Sequence, residues 1–263
     1  MVRWLLLAAL CSSAAVDSAA QTPRPKFDAF EVATIKPAND DAKSGRFIKM
    51  EGRTRFIEKD YTLKLLIAAA YELNPKTISG GPAWVDSEHF DIEAVTPGEV
   101  RPTRDEQMAM LRALLTERFQ LKFHREQKEF AIFALSVAKG GSKLKATATP
   151  DAVPTVGPGV VYPQKVVLPG RNASVAELAS LLQRAVVDRP VVDRTGLTGR
   201  YDFDLDWAPD ETQFGGDVAA APATAPSLPL VAAMEQQLGL KVEATRGAVS
   251  ALVVDSAQQP SAN

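Results

Sequence analysis

The sequence predicts an α+β fold made of two related halves packed as one body. Three observations carry this. Apolar residues recur with strand-like alternation in some segments and helix-like spacing in others. The order strand–helix–strand–helix–strand–strand runs once over residues 28–141 and again over 160–257. From the second helix of each unit the two segments align without a gap, placing Leu121 on Leu240 and Phe123 on Val242. One unit alone would leave a sheet face open, and pairing two copies covers both.

Taken in order, "FEVATIKPA" (30–38) predicts a strand ended by Pro37. "GRFIKMEGRTRFIEKD" predicts a hairpin turning near Gly52. "YTLKLLIAAAYEL" predicts a helix with Leu63, Leu66, Ile67 and Ala70 on one face, closed off by Pro75. "ISGGPAWVDSE" reads as a turn-rich loop, in which Gly80, Gly81 and Pro82 aim Trp84, and "HFDIEAV" as an alternating strand. "TRDEQMAMLRALLTERF" is a helix whose Thr103 and Glu106 have capping-box spacing. Two strands follow, "QLKFHRE" and "EFAIFALSVA". Residues 142–159, rich in Pro, Gly, Ala and Thr, read as a linker.

The second half repeats the pattern. "VVYPQKVVLPGR" predicts a hairpin, and "SVAELASLLQRAV" a helix capped by Ser174 and Glu177. "RTGLTGRYDFDLDW" matches the earlier "AWVDSEHFDIEAV", with Phe90 on Tyr201 and Asp91 on Asp202. "LPLVAAMEQQLGLKVEA" gives a helix stopped at Gly239, where a left-handed cap is needed, and then a strand. "VSALVVDSA" closes the unit. An Ala/Pro-rich loop at 208–227 has no counterpart of its length in the first half; it reads as a flexible loop, with a substrate lid as the alternative.

The N-terminus has the grammar of a secretory signal over residues 1–20. Arg3 precedes the apolar "WLLLAALCSSAAV", and "DSAAQ" offers cleavage after Ala20. The expected location is secreted or periplasmic. Cys11, the only cysteine, lies inside that signal, so the mature chain would hold no thiol and no disulfide. Acids and bases nearly balance and are interspersed, which argues against nucleic acid, and no segment of the mature chain predicts a membrane span.

Several of these segments together carry a family likeness. "FEVATIKPA", "ISGGPAWVDSEHFDIEA", "LLTERFQLKFHREQKEFAIFALSVAKGGSKLK", "RPVVDRTGLTGRYDFDLDW" and "LGLKVEATRGAVSALVVD" resemble an uncharacterised family of secreted soil-bacterial proteins of acidobacterial type. The same domain resembles the extracytoplasmic part of some BlaR-type metallopeptidase sensors. The resemblance implies export and a sensing or binding role. It transfers no catalytic residue.

The residues themselves point the same way. The two histidines, His89 and His124, lack the spacing of a zinc site, so no metal and no cofactor is expected. No Gly-x-Ser-x-Gly elbow is present. "DFDLDW" places Asp202, Asp204 and Asp206 on one strand face, the first two about 7 Å apart by strand rise. That row could be a cross-strand salt-bridge face, a ligand contact, or the carboxylate pair of a hydrolase. Trp84 could plug the core or form a ligand platform, and Arg200 lies in a mixed-charge, Gly-rich turn suited to polar ligands. The expected function is a non-catalytic extracytoplasmic module that binds a small molecule, a glycan or an envelope protein. Its candidate contacts are Asp202, Asp204, Asp206, Trp84 and Arg200, with no catalytic residue assigned. The alternative is a secreted hydrolase using carboxylates such as Asp202 and Asp204.

Overall fold

The computed structural model of the protein describes residues 24–38, 45–157, 160–162, 165–216, 218–222 and 224–261. The expected signal segment and its cleavage site lie outside them. The first half runs β1 (Val32–Pro37), β2 (Phe47–Glu51), β3 (Arg55–Thr62), α1 (Leu63–Ala70), β4 (Ile78–Gly80), α2 (Trp84–Ser87), β5 (His89–Val95), α3 (Arg104–Arg118) and β6 (Lys122–Val137). The rest runs β7 (Lys145–Ala146), β8 (Thr155–Val156), β9 (Val160–Tyr162), β10 (Lys165–Ala173), α4 (Val175–Leu181), β11 (Val191–Asp193), β12 (Tyr201–Trp207), α5 (Leu230–Ala233) and β13 (Leu240–Ser256). The fold is α+β, with helices and strands segregated into mixed layers rather than alternating around one parallel sheet.

Three sheets organise it. The first has the antiparallel order β1-β5-β3-β2, and the second β7-β12-β10-β8 with β9 also on β10. The third joins the halves. Strands β6 and β13 pair antiparallel along nearly their whole length, from Lys122↔Ser256 to Leu240↔Val137. Short β4 lies parallel to the end of β13, and short β11 parallel to the end of β6. Each core therefore receives a strand end from the other half. Leu252 and Val254 of β13 pack with Phe56, Ile67, Ile92 and Leu111, while Leu135 of β6 packs with Leu168, Leu178, Leu205 and Trp207.

Local chemistry sets the boundaries. The Thr62 hydroxyl accepts from the Leu65 N–H and starts α1. Both expected capping boxes form, at Thr103/Glu106 and Ser174/Glu177. Gly239 is left-handed (φ 67°) and ends the second half's last helix. Gly170 is required sterically, because a Cβ there would collide with the Phe203 ring.

Four segments differ from the sequence-based expectation; one is Leu240–Ser256, a single strand where two were expected. Residues 78–88 hold a short strand and one helical turn rather than a plain loop. Lys122–Val137 is one strand, not two, because its polar middle lies beyond both cores, where backbone pairing with β13 sustains it without side-chain burial. The expected linker, 142–159, donates edge strands β7 and β8 to the second sheet.

Among the described residues three bulges interrupt the antiparallel ladders: one at Asp255, between Val254 and Ser256 of β13, and one in each half's own sheet. In those two sheets the pattern is the same. One extra residue sits between Glu58 and Tyr61 in β3, and another between Gly170 and Ala173 in β10. The left-handed residues there are Asp60 (φ 62°) and Asn172 (φ 49°). Because side chains alternate, the insertion in β3 returns Tyr61 to the face that carries Glu58.

Candidate functional site

The halves meet where the chain leaves α1 and where it leaves α4. Residues 182–186 continue α4 as a π-turn. Asn74, buried, donates from Nδ2 to the carbonyls of Gln183 (2.6 Å) and Val187 (3.3 Å), and its Oδ1 accepts from the Lys76 N–H. In return Gln183 Nε2 donates to the Glu72 carbonyl at 2.7 Å. The Lys76 ammonium lies 3.1 Å from the Asp188 carboxylate. This latch fixes the end of the second half's helix against the first half.

Beside the latch opens a cleft of about 700 Å³. The first half contributes Arg46, Tyr61, Leu65, Ala69, Lys76 and Arg104 to its walls; the second contributes Arg184, Val187, Thr212 and Phe214. Arg46 stacks over the Tyr61 ring, 5.9 Å from its centroid. Arg104 Nε is 3.7 Å from Glu72 Oε1, an ion pair too long for a hydrogen bond. Arg184 makes no side-chain hydrogen bond or ion pair among the described residues, and both arginines bury an Nε–H without a partner. Burial lowers the Arg184 pKa to about 10, with the Arg104 charge pushing the same way. Both remain cations at neutral pH. Burial, helped by Glu58, raises the Tyr61 phenol against the pull of the three arginines, so it is an O–H donor.

Behind this wall, Glu58 is fully buried and neither carboxylate oxygen has a partner. Its neighbours across the sheet are Ile48 and Ile92. Desolvation first, and the nearby Asp91 charge second, push its carboxyl well above the usual range. Its burial favours the neutral, protonated form over the carboxylate.

The residues singled out from the sequence are engaged elsewhere. Asp202 accepts from the Asn172 N–H at 2.8 Å and the Ala148 N–H at 3.3 Å; the Asn172 bond leads in holding its carboxyl below the ordinary range. Asp204 pairs with Arg171 at 2.8 Å, and Asp206 faces Lys165 at 3.9 Å. Arg200 pairs with Glu177 at 2.7 Å and caps the Asn172 carbonyl at 3.1 Å. Trp84 is half-buried in the first core, stacked on Phe119 and edge-on to Phe90. The three aspartates share β12, whereas Trp84 belongs to the other half's core.

The histidines each meet a carboxylate, His89 with Asp60 at 2.6 Å and His124 with Asp255 at 2.7 Å. Among the described residues no group of three His, Cys, Asp or Glu side chains is placed to share a cation. No helix among them is long and apolar enough to cross a membrane. The Ala/Pro-rich loop is anchored at its start: the buried Trp207 donates Nε1–H to Gln213 at 2.7 Å, and its ring stacks on Phe214.

Sequence reasoning missed Arg104, Arg184 and Tyr61. Arg104 did carry a signal: it occupies the first position of α3, at the positive end of the helix dipole, where an acid is the favoured choice. Arg184 gives no such signal, because a cation near a helix C-terminus is ordinary. Among proteins already known, no curated protein and no solved structure matches the chain. The family model described as "protein of unknown function (DUF3738)" matches residues 64–257, most of the 263-residue chain, and the protein belongs to that family.

Proposed function

We propose that the protein is an exported, non-catalytic binding module whose small-molecule ligand lies in the cleft between its halves. The observation that carries this reading is the cleft itself, about 700 Å³ and walled by both halves, with Arg184 facing it unpartnered. Export is supported by Arg3, the apolar run after it and the small residues before Gln21. The likeness to sensor ectodomains and to secreted soil-bacterial proteins points the same way by analogy. A hydrolase using Asp202 and Asp204 draws less support, since backbone N–H groups and Arg171 already occupy those carboxylates.

We also propose that the halves descend from one duplicated unit. Support comes from the recurring element order and from the matched bulges at Asp60 and Asn172, each two residues before a helix N-cap.

A small-molecule thermal-shift screen on the wild type and Ala185→Trp tests the binding reading. Ala185 is exposed on the cleft wall, so Trp there fills the cleft and spares the core. A compound that raises the wild-type Tm and loses its effect in Ala185→Trp is expected. Hits indifferent to the substitution, or turnover of a hit, would overturn it. Export is checked by N-terminal mass spectrometry of protein made in a bacterial host; the expected start is Gln21, and an intact Met1 contradicts it.

A further inference from the structure

Resting on the cleft-binding reading, we propose that the ligand is an organic anion, with its carboxylate or phosphate group held between Arg104 and Arg184 and its apolar part lying over Val187 and Phe214. Arg104 begins α3 in the first half, and Arg184 sits in the π-turn of the second. They line one cleft although 80 residues separate them in sequence (184 − 104). Each has a buried Nε–H with no acceptor. Their charges repel, since Arg104 depresses Arg184. The carboxylate that offsets this is Glu72, which lies beyond hydrogen-bonding distance of Arg104 Nε.

For the fold alone this arrangement is a loss. Two half-buried like charges, each with a desolvated Nε–H and with Arg184 unpaired among the described residues, destabilise, and an apolar side chain of similar volume at position 184 would be better tolerated. An anion with two or more acceptor oxygens offsets the repulsion. It also takes up the terminal N–H groups of Arg184, which have no partner among the described residues, in the short charge-assisted bonds that a guanidinium makes best. Tyr61 supplies a further donor, turned to this side by the Asp60 bulge. The positive end of the α3 dipole adds the same sign. Arg46 and Lys76 also line the cleft, but both already have partners and the anion site does not depend on them.

The remaining walls decide between a bare ion and an organic one. Leu65, Ala69, Val187 and Phe214 give the cleft an apolar side. A second cavity of about 100 Å³, lined by Phe133, Leu135, Leu182 and Met234, shares Val187, Asp188 and Thr212 with it. An apolar tail leaving the arginines can pass over Val187 toward that cavity, between the polar Asp188 and Thr212 at the junction.

Calorimetric titration with octanoate, octyl phosphate, octylamine and inorganic phosphate tests this on the purified full mature chain. The expected result is one-to-one binding of at least one of the two alkyl anions, weakened roughly tenfold or more in Arg184→Met and in Arg104→Met. The tighter of the two identifies the head group. Lys241→Met, on the exposed ribbon, should leave the affinity unchanged. Arg184→Met without ligand should melt no lower than wild type, which a purely structural arginine would not allow. If Arg184→Met does not fold, Arg184→Lys, which keeps the charge and loses the planar fork, is expected to weaken binding. Octylamine binding as tightly as the anions, inorganic phosphate matching octyl phosphate, no binding by either alkyl anion, or affinity indifferent to both arginines would overturn the assignment. In any of these cases a neutral hit blocked by Ala185→Trp would leave the cleft reading standing.

Discussion

Asp202 holds the backbone of Asn172: its Oδ1 accepts the Asn172 N–H at 2.8 Å, one strand over, where the chain takes a left-handed turn. In the other half Asp91 accepts the Asp60 N–H at 3.1 Å in the same setting. A bulge leaves one residue out of the ladder and its N–H without a strand partner. A carboxylate at the facing position supplies the acceptor. The acidic row that looked like a possible active site thus acts, through Asp202, as a clamp on the β10 bulge.

The clamp has a pH signature. The Asp202 carboxyl is held below its ordinary value, so its stabilisation is present above the unfolded-state pKa and is lost as pH falls through the folded one. The window lies below about pH 4. Asp202→Asn should melt lower than wild type at pH 7, and the gap should close in acid. Melting curves from neutral pH downward check this; a gap of constant size would contradict it.

Glu58 has the opposite sign. Its folded pKa is raised, so its favourable state is fully present below the unfolded-state value and is lost as pH rises toward the folded one. Wild-type stability should fall over that interval, and Glu58→Gln should flatten the slope. Glu58→Met, which removes two unpaired buried oxygens, should stabilise by about 1–3 kcal/mol at neutral pH. Urea midpoints at several pH values measure both, and a destabilised Met variant would show that Glu58 has a partner in solution.

Asn74→Ala should cost roughly 1–3 kcal/mol by leaving the Gln183 carbonyl and the Lys76 N–H without their partner. It should also weaken ligand binding, because the Asn74 bonds hold the turn that carries Arg184. Chemical denaturation and calorimetry on the same preparation separate the two effects. Unchanged stability would mean that the latch is not formed in solution.

Trp207→Phe should be destabilising by about 1–3 kcal/mol, since the buried Gln213 loses its donor and the core loses ring volume. Through Gln213 and the ring stack it should loosen Phe214 at the cleft. Limited proteolysis within 208–227 is expected to speed up in the variant, and an unchanged rate would detach the loop from Trp207.

By itself the sequence determined the kinds of elements and the faces they bury. Alternation of apolar residues marked β1, β5 and β12; Thr103 and Ser174 with their glutamates marked two helix starts; Gly239 marked a helix end. These signals are local, spaced within one turn or one strand, and a short segment contains all of the information they need. Tertiary structure alone decided the rest. A single inserted residue turned Tyr61 toward the cleft, and which strand inserts it depends on the pairing of β3 with β5, about 30 residues on. The continuity of β6 came from β13, more than a hundred residues away in the chain. Arg104 and Arg184 came to line one cleft only when two helices from opposite halves were latched through Asn74. No periodicity records such a meeting, because the free energy that brings it about comes from burial of the two cores, while the arginines themselves oppose it.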